Sequence, residues 1–193
     1  YQKSEWKKTD EVQSAVYQFR SAALTTVKLT TPGLSGTSNS SAGIVFKWKK
    51  AASASGYKIY RRTGNSKKWV NIATVSGSNT LVYTDGSVKA GTTYTYTVRA
   101  YKGSALSAYN KNGSRIVRLT APVQYKPSSK ASGKLIVRWK KAAGASGYQI
   151  QYAASRSMRG ARTVSTSAMT RTLSGLKKGS TYYVRIRAYK KVS

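Results

Sequence analysis

GIVFKWKKAASASGYKIY, residues 43–60, returns as KLIVRWKKAAGASGYQIQ at residues 134–151. Trp48 matches Trp139, Gly56 and Tyr57 match Gly147 and Tyr148, and Ile59 matches Ile150, all at an offset of 91. Downstream, GTTYTYTVRAY at 91–101 pairs with GSTYYVRIRAY at 179–189 at an offset of 88, so three residues were lost between the two blocks. Such a length change falls where loops or edge strands tolerate it. The chain therefore holds two copies of one structural unit.

Each copy alternates apolar and polar residues in short runs broken by Gly, Ser and Asn, the period-2 pattern of half-buried strands. In the first copy Ile44, Phe46 and Trp48 share one face, while Val45, Lys47 and Lys49 share the other. Next, Tyr57 and Ile59 point inward with Lys58 and Tyr60 outward; then Tyr94, Tyr96, Val98 and Ala100 point inward with Arg99 and Tyr101 outward. The second copy assigns Leu135, Val137, Trp139, Tyr148, Ile150, Tyr182, Val184, Ile186 and Ala188 to the interior. A helix cannot keep such alternation on one face. The expected class is all-β, with Trp48, Tyr57, Tyr94, Trp139, Tyr148 and Tyr182 as structural core.

A lone inward Trp closing one strand, a Tyr-x-Ile strand after it, and Leu176, Gly179 and Tyr182 in the order L-x-x-G-x-x-Y before VRIRAY resemble the fibronectin type III domain. Tyr94 and Tyr182 stand at that family's tyrosine-corner position, which implies hydroxyls bonded to nearby backbone. Val88 stands where Leu176 does, a mild departure. GYKIYR, Trp69, YTD and GTTYTYTVRAY are also similar to repeats in surface and secreted proteins of Gram-positive anaerobes. The resemblance covers residues 29–193. It implies two tandem fibronectin type III-like (immunoglobulin-like) β-sandwiches, at 29–120 and 121–193. Pro32 and Pro122 would open the first strand of each on an edge, and the short connection around Leu119–Ala121 restricts the angle between them.

Two segments depart from the repeat. Residues 115–120 read as a last strand in the first copy, whereas only residues 190–193 follow Tyr189 in the second, so its last strand is missing. That would expose a backbone edge; the strand lies further along a longer protein or comes from a neighbouring chain, giving a monomer or a strand-exchanged oligomer. Residues 1–28 match neither copy. Asp10 with Gln13 resembles a capping box, and Val12, Val16, Phe19 and Ala23 recur at helical spacing, which predicts a short amphipathic helix over residues 11–23. Its apolar face either packs on the first sandwich or docks on a protein partner through Val12, Val16, Tyr17 and Phe19.

The chain has no Cys or His and four carboxylates, Glu5, Asp10, Glu11 and Asp85. Thiolate nucleophiles, Ser-His-Asp triads, His-based metal sites and zinc cages all require absent side chains. Three of the four acids sit near the N-terminus, and Asp85 follows a strand-like run as a turn residue would, so a two-carboxylate glycosidase cleft is not expected. We expect no catalysis, no cofactor and no small-molecule substrate. The lack of cysteine fits bacterial export; there is no apolar run long enough to span a membrane and no signal-peptide core at the start. Net charge is +31: residues 1–119 carry 19 Lys and Arg against four acids, and residues 120–193 carry 16 and no acid. Both halves should therefore attract polyanions with salt-dependent affinity.

Lys58, Tyr60, Arg99 and Tyr101 in the first copy and Tyr183, Arg185, Arg187 and Tyr189 in the second interleave bases with aromatics on one outward face. These residue types are enriched in binding hot spots, but cross-strand Tyr–Arg pairs also simply stabilise a solvated sheet. Trp69 either packs at an edge or offers a flat platform. The expected function is a non-catalytic adhesion or spacer segment, extracellular and either secreted or attached to a bacterial surface. It would engage a host protein or glycoprotein such as immunoglobulin, or an acidic cell-wall polymer. The alternatives are a glycan-positioning accessory to a carbohydrate-active enzyme, and nucleic-acid binding suggested by charge alone.

Overall fold

The structure is a computed structural model that describes residues 28–191, in which strands, turns and irregular chain occur and no helix does. The expected N-terminal helix, with Val12, Val16, Tyr17 and Phe19, lies outside the described residues. In the first sandwich β1 (Leu34–Asn39), β2 (Ile44–Trp48) and β5 (Val82–Asp85) form one sheet in the order β1-β2-β5. The other sheet is built from β3 (Gly56–Thr63), β4 (Val70–Ser76) and β6 (Thr93–Lys102), with β7 (Ala105–Leu106) and β8 (Ser114–Val117) both paired to β6. All pairings are antiparallel. The second sandwich pairs β9 (Leu135–Arg138) with β12 (Thr170–Leu173), and orders β11 (Arg162–Thr166), β10 (Gly147–Ala153) and β13 (Tyr183–Tyr189) with β10 in the centre.

The alternation read from the sequence holds in both copies. Ile44, Phe46 and Trp48 from one sheet and Tyr57, Ile59, Tyr94, Tyr96, Val98 and Ala100 from the other are buried in one cluster. A separate cluster gathers Val137, Trp139, Tyr148, Ile150, Tyr152 and Leu173. Trp48 meets Tyr57 edge-on with ring centroids 5.5 Å apart, and Trp139 meets Tyr148 at 5.3 Å, both at 62°. Neither indole N–H has a hydrogen-bond partner, so packing alone holds these rings. The Tyr hydroxyls do have one: Tyr57 Oη accepts from Ala51 N at 3.1 Å and Tyr148 Oη from Ala142 N at 2.9 Å, pinning the KKAA loop in each copy.

Both tyrosine corners form. Tyr94 Oη accepts from Lys89 N at 2.9 Å, and Tyr182 Oη accepts from Lys177 N at 3.1 Å. Tyr182 is nevertheless only half-buried, as are Leu135, Val184, Ile186 and Ala188, although all pack against the second cluster. Their phase is as expected and their cover is thinner. In the first sandwich β7 and β8 flank β6, and β1 completes the opposing sheet. In the second, β13 is an edge among the described residues, and the place of β1 is taken by two isolated bridges, Gln124 to Trp139 and Ser128 to Ile136. Pro32 and Pro122 each stand two residues ahead of the first pairing, outside any ladder.

The connection is tied to the first sandwich. Asn39 Nδ2 donates to Val117 O at 2.9 Å while its Oδ1 accepts from Leu119 N at 2.9 Å. Arg118, buried despite its charge, donates to the carbonyls of Ser40 at 2.6 Å and Gly43 at 2.8 Å, so the β1–β2 turn replaces its lost hydration. Across the joint, Gly144 nests on Gly91: a Cβ at position 144 would come within 2.9 Å of Gly91 Cα and 2.8 Å of Val117 Cγ1. The first repeat carries Ser53 at the matching place, also with positive φ (61°). A serine is thus tolerated by the loop and excluded by the neighbour. We expect Gly144→Ser to leave both sandwiches folded but widen the spread of inter-module angles, read by residual dipolar couplings or small-angle scattering. An unchanged distribution would show that the nesting does not hold the joint.

Candidate functional site

The outward face of β3 and β6 carries the candidate residues in register, with Lys58 opposite Arg99 and Tyr60 opposite Thr97. The β3–β4 register shifts by one residue between Ile59 and Tyr60, as at a β-bulge, and Asn71 Nδ2 donates to Ile59 O there at 3.0 Å. Trp69, just ahead of β4, lies beside Arg62 of β3. The β7–β8 loop then folds back over the outer side of β6. Thr97 Oγ1 donates to Asn110 O at 2.9 Å, Arg99 Nε donates to Ser107 O at 2.6 Å, and Asn110 Oδ1 accepts from Asn112 N and Gly113 N at 3.1 Å each.

This loop sets Tyr109 edge-on to Trp69, with centroids 6.1 Å apart at 76°. The Arg62 guanidinium lies over the Trp69 ring at 4.7 Å and that of Arg99 over Tyr109 at 5.9 Å. Such placements are attractive because an aromatic face is electron-rich. Tyr60, Trp69, Thr97, Arg99 and Tyr109 line a groove of about 180 Å³. Of the expected residues, Tyr60, Trp69 and Arg99 come together here. Lys58 stands beside Arg99 without lining the groove. Arg62 continues the alternation that begins at Lys58 and Tyr60, so one more residue of the same face reaches the Trp69 wall. Tyr109 sits in SAYNKNG, a loop with no periodicity to mark it.

Neither Tyr101 nor Tyr189 lines this groove. Each lies over a glycine of the neighbouring strand: a Cβ at Gly56 or at Gly147 would come within 2.6 Å of the hydroxyl of Tyr101 or Tyr189. The paired Gly-Tyr and Arg-Ala-Tyr blocks of the repeat are therefore two halves of one packing contact. On the second sandwich Arg185 Nε donates to Gln151 Oε1 and Arg187 Nε to Gln149 Oε1, both at 2.8 Å, and Tyr183 is 38% exposed. No aromatic groove forms there.

Asp85 stands at the end of a strand, as expected, but it is buried. It ends β5 at 1% exposure and accepts from Arg61 Nη1 at 2.7 Å, Tyr96 Oη at 2.8 Å, Ser87 N at 3.0 Å and Ser87 Oγ at 2.8 Å. Burial alone would raise its pKa; the hydrogen bonds from Ser87, Arg61 and Tyr96 and the Arg61 charge outweigh that and hold it below the ordinary Asp value. The same desolvation and the Asp85 charge push the Tyr96 phenol well above its usual range. Residues 28–191 contain 31 Lys and Arg and this one acid, so the described surface bears no exposed carboxylate. Among the described residues no three His, Cys, Asp or Glu side chains gather to hold a metal.

Residues 120–193 match the model of the fibronectin type III domain family. They hold the paired Trp139 and Tyr148 and the Tyr182 corner described above. The second sandwich is thus similar to a fibronectin type III domain. It is the part of the chain the model matches, and the first sandwich repeats its core residues. A stretch of 73 residues, 38% of this chain, is 36% identical to a poly(3-hydroxybutyrate) depolymerase of Ralstonia pickettii, of which it covers 13%. Among solved structures the chain is similar to the chicken CNTN1 FN1-FN3 domains, with 20% identity and a TM-score of 0.43 over 83% of this chain and 61% of that one. It is also similar to a two fibronectin type-III domain segment from chicken tenascin, with 16% identity and a TM-score of 0.41 over 84% and 91%.

Proposed function

We propose that this chain is a non-catalytic binding and spacer segment of an extracellular bacterial protein, divided at residues 29–120 and 121–193, and that its partner is an acidic polymer. The observation that carries this reading is the charge: 31 cationic side chains in residues 28–191 face one carboxylate, and that carboxylate is buried and neutralised by Arg61. Such a surface has no internal acid to satisfy its bases, and polyanions with condensed counterions are the partners it favours. The pinned connection and the Gly91–Gly144 contact suit a spacer that keeps its two modules in fixed relation. No described surface favours immunoglobulin over other partners, and no described helix is long and apolar enough to cross a membrane.

The experiment is retention on immobilised sulfated glycan, teichoic acid and DNA across a salt series. We expect binding at about 0.05 M salt to fall by about 100-fold or more by about 0.5 M, as release of several counterions requires. Absence of binding at low salt would refute the acidic-partner reading. A second reading, an accessory module of a polymer-degrading enzyme, is favoured by the depolymerase match. It predicts that a catalytic domain lies elsewhere in the same polypeptide and that removing these modules weakens attack on insoluble polymer more than on soluble substrate.

A further inference from the structure

The groove on the first sandwich has features that neither the fold nor the overall charge requires. The second sandwich serves as a control within the same chain. It builds the equivalent β10–β13 ladder with Gln149 and Gln151 where the first has Lys58 and Tyr60, and those amides accept hydrogen bonds from Arg187 and Arg185. That sheet satisfies its own arginines. On the first sandwich Tyr60 offers a ring and a hydroxyl instead of an amide. Of the Arg99 nitrogens only Nε makes a hydrogen bond, to Ser107 O, which leaves its terminal amino groups without a hydrogen-bond partner among the described residues.

The walls are also held in place before any ligand arrives. Gly113 has φ of +69°, and a Cβ there would come within 2.9 Å of Trp69 Cη2, so glycine is what lets the loop lie against the indole. Asn110 closes the loop on itself and Thr97 ties it to β6, which fixes Tyr109. Prepaid ordering of this kind raises affinity for whatever the groove fits.

We propose that the groove bounded by Tyr60, Trp69 and Tyr109, with Arg62 and Arg99 at its margins, seats one ring of an acidic saccharide. A pyranose presents a C–H face suited to aromatic walls, hydroxyls suited to the phenols of Tyr60 and Tyr109, and, as a uronate or sulfate, an anion suited to the guanidinium groups. The cavity of about 180 Å³ has room for one such ring. Trp69 and Tyr109 meet at 76°, so the groove has no parallel-walled slot to clamp a nucleobase. The inference rests on the reading of this chain as a binder of acidic polymers and narrows that reading to one place.

The test is calorimetric titration of the whole chain with a hyaluronan tetrasaccharide at about 0.3 M salt, where diffuse charge attraction is largely screened. A neutral N-acetylglucosamine tetramer and a thymidine oligonucleotide serve as comparators. We expect the tetrasaccharide to bind, and Trp69→Ala and Arg99→Gln each to weaken it about tenfold or more, the scale of losing one hot-spot contact. Arg187→Gln on the second sandwich should leave it unchanged. Tyr109→Leu, which keeps bulk on the loop, covers the case in which Trp69→Ala disturbs the fold, and should weaken binding by a similar factor. No binding by the parent chain, equal affinity in the groove variants, or equal affinity for either comparator would overturn the proposal. Loss of low-salt retention on every polyanion would instead overturn the function on which it rests, so the two failures read differently.

Discussion

Asp85→Ala is expected to unfold the first sandwich about 3–5 kcal/mol more easily than the parent, the range for removing one partner of a buried ion pair. The loss comes less from the missing attraction than from what is left behind: a half-sheltered Arg61 guanidinium, the Tyr96 hydroxyl and the Ser87 N–H, all aimed at an empty place. Asp85→Asn keeps an acceptor and should cost about half as much. Because the native carboxyl is held below its ordinary pKa, its contribution is complete above the unfolded value near about pH 4 and disappears as pH falls through the lower folded value. The difference between parent and Asp85→Asn, followed by denaturant unfolding, should therefore be constant from neutral pH down to about pH 5 and shrink steadily below about pH 4. Equal stabilities at neutral pH would show that the four hydrogen bonds to Asp85 do not determine the stability of this sandwich.

Trp139→Ala should remove about 3–5 kcal/mol from the second sandwich, the usual result of emptying a buried indole site. Trp48→Ala should cost the first sandwich a similar amount, but the consequence differs. The second core has fewer fully buried members, and Tyr182, just ahead of β13, and Val184 and Ile186 within it lie half-covered along what is an edge strand among the described residues. Against a typical stability of about 5–15 kcal/mol, the loss leaves that module close to unfolding at ambient temperature. Amide spectra of Trp139→Ala should lose dispersion for residues of β9 to β13 while those of β1 to β8 keep theirs, and saccharide binding at the Trp69 groove should persist. Full dispersion across β9 to β13 in the variant would mean that Trp139 is not the keystone of that core.

Much of the molecule was legible from local pattern. Strand faces follow from period 2, so Trp48, Tyr57, Tyr94, Trp139 and Tyr148 could be placed inside from spacing alone, and the tyrosine corners followed from the resemblance at Tyr94 and Tyr182. The same alternation pointed outward correctly at Tyr60 and Arg99. It failed where a residue's surroundings come from distant chain. Asp85 resembles a turn residue in sequence, because nothing nearby reveals that Arg61 and Tyr96 close over it from two other strands. The packing of Tyr101 and Tyr189 over their cross-strand glycines was equally hidden in the sequence.

The amino-acid sequence by itself determined the strand pattern, the repeat, the lack of Cys and His and the positive field, because each depends on residue identity or on neighbours two positions away. Tertiary structure decided the groove, the buried carboxylate and the fit of Gly144 on Gly91. Those depend on how bulges and the folded-back β7–β8 loop bring residues tens of positions apart into contact, and such distances are set only when the sheets close.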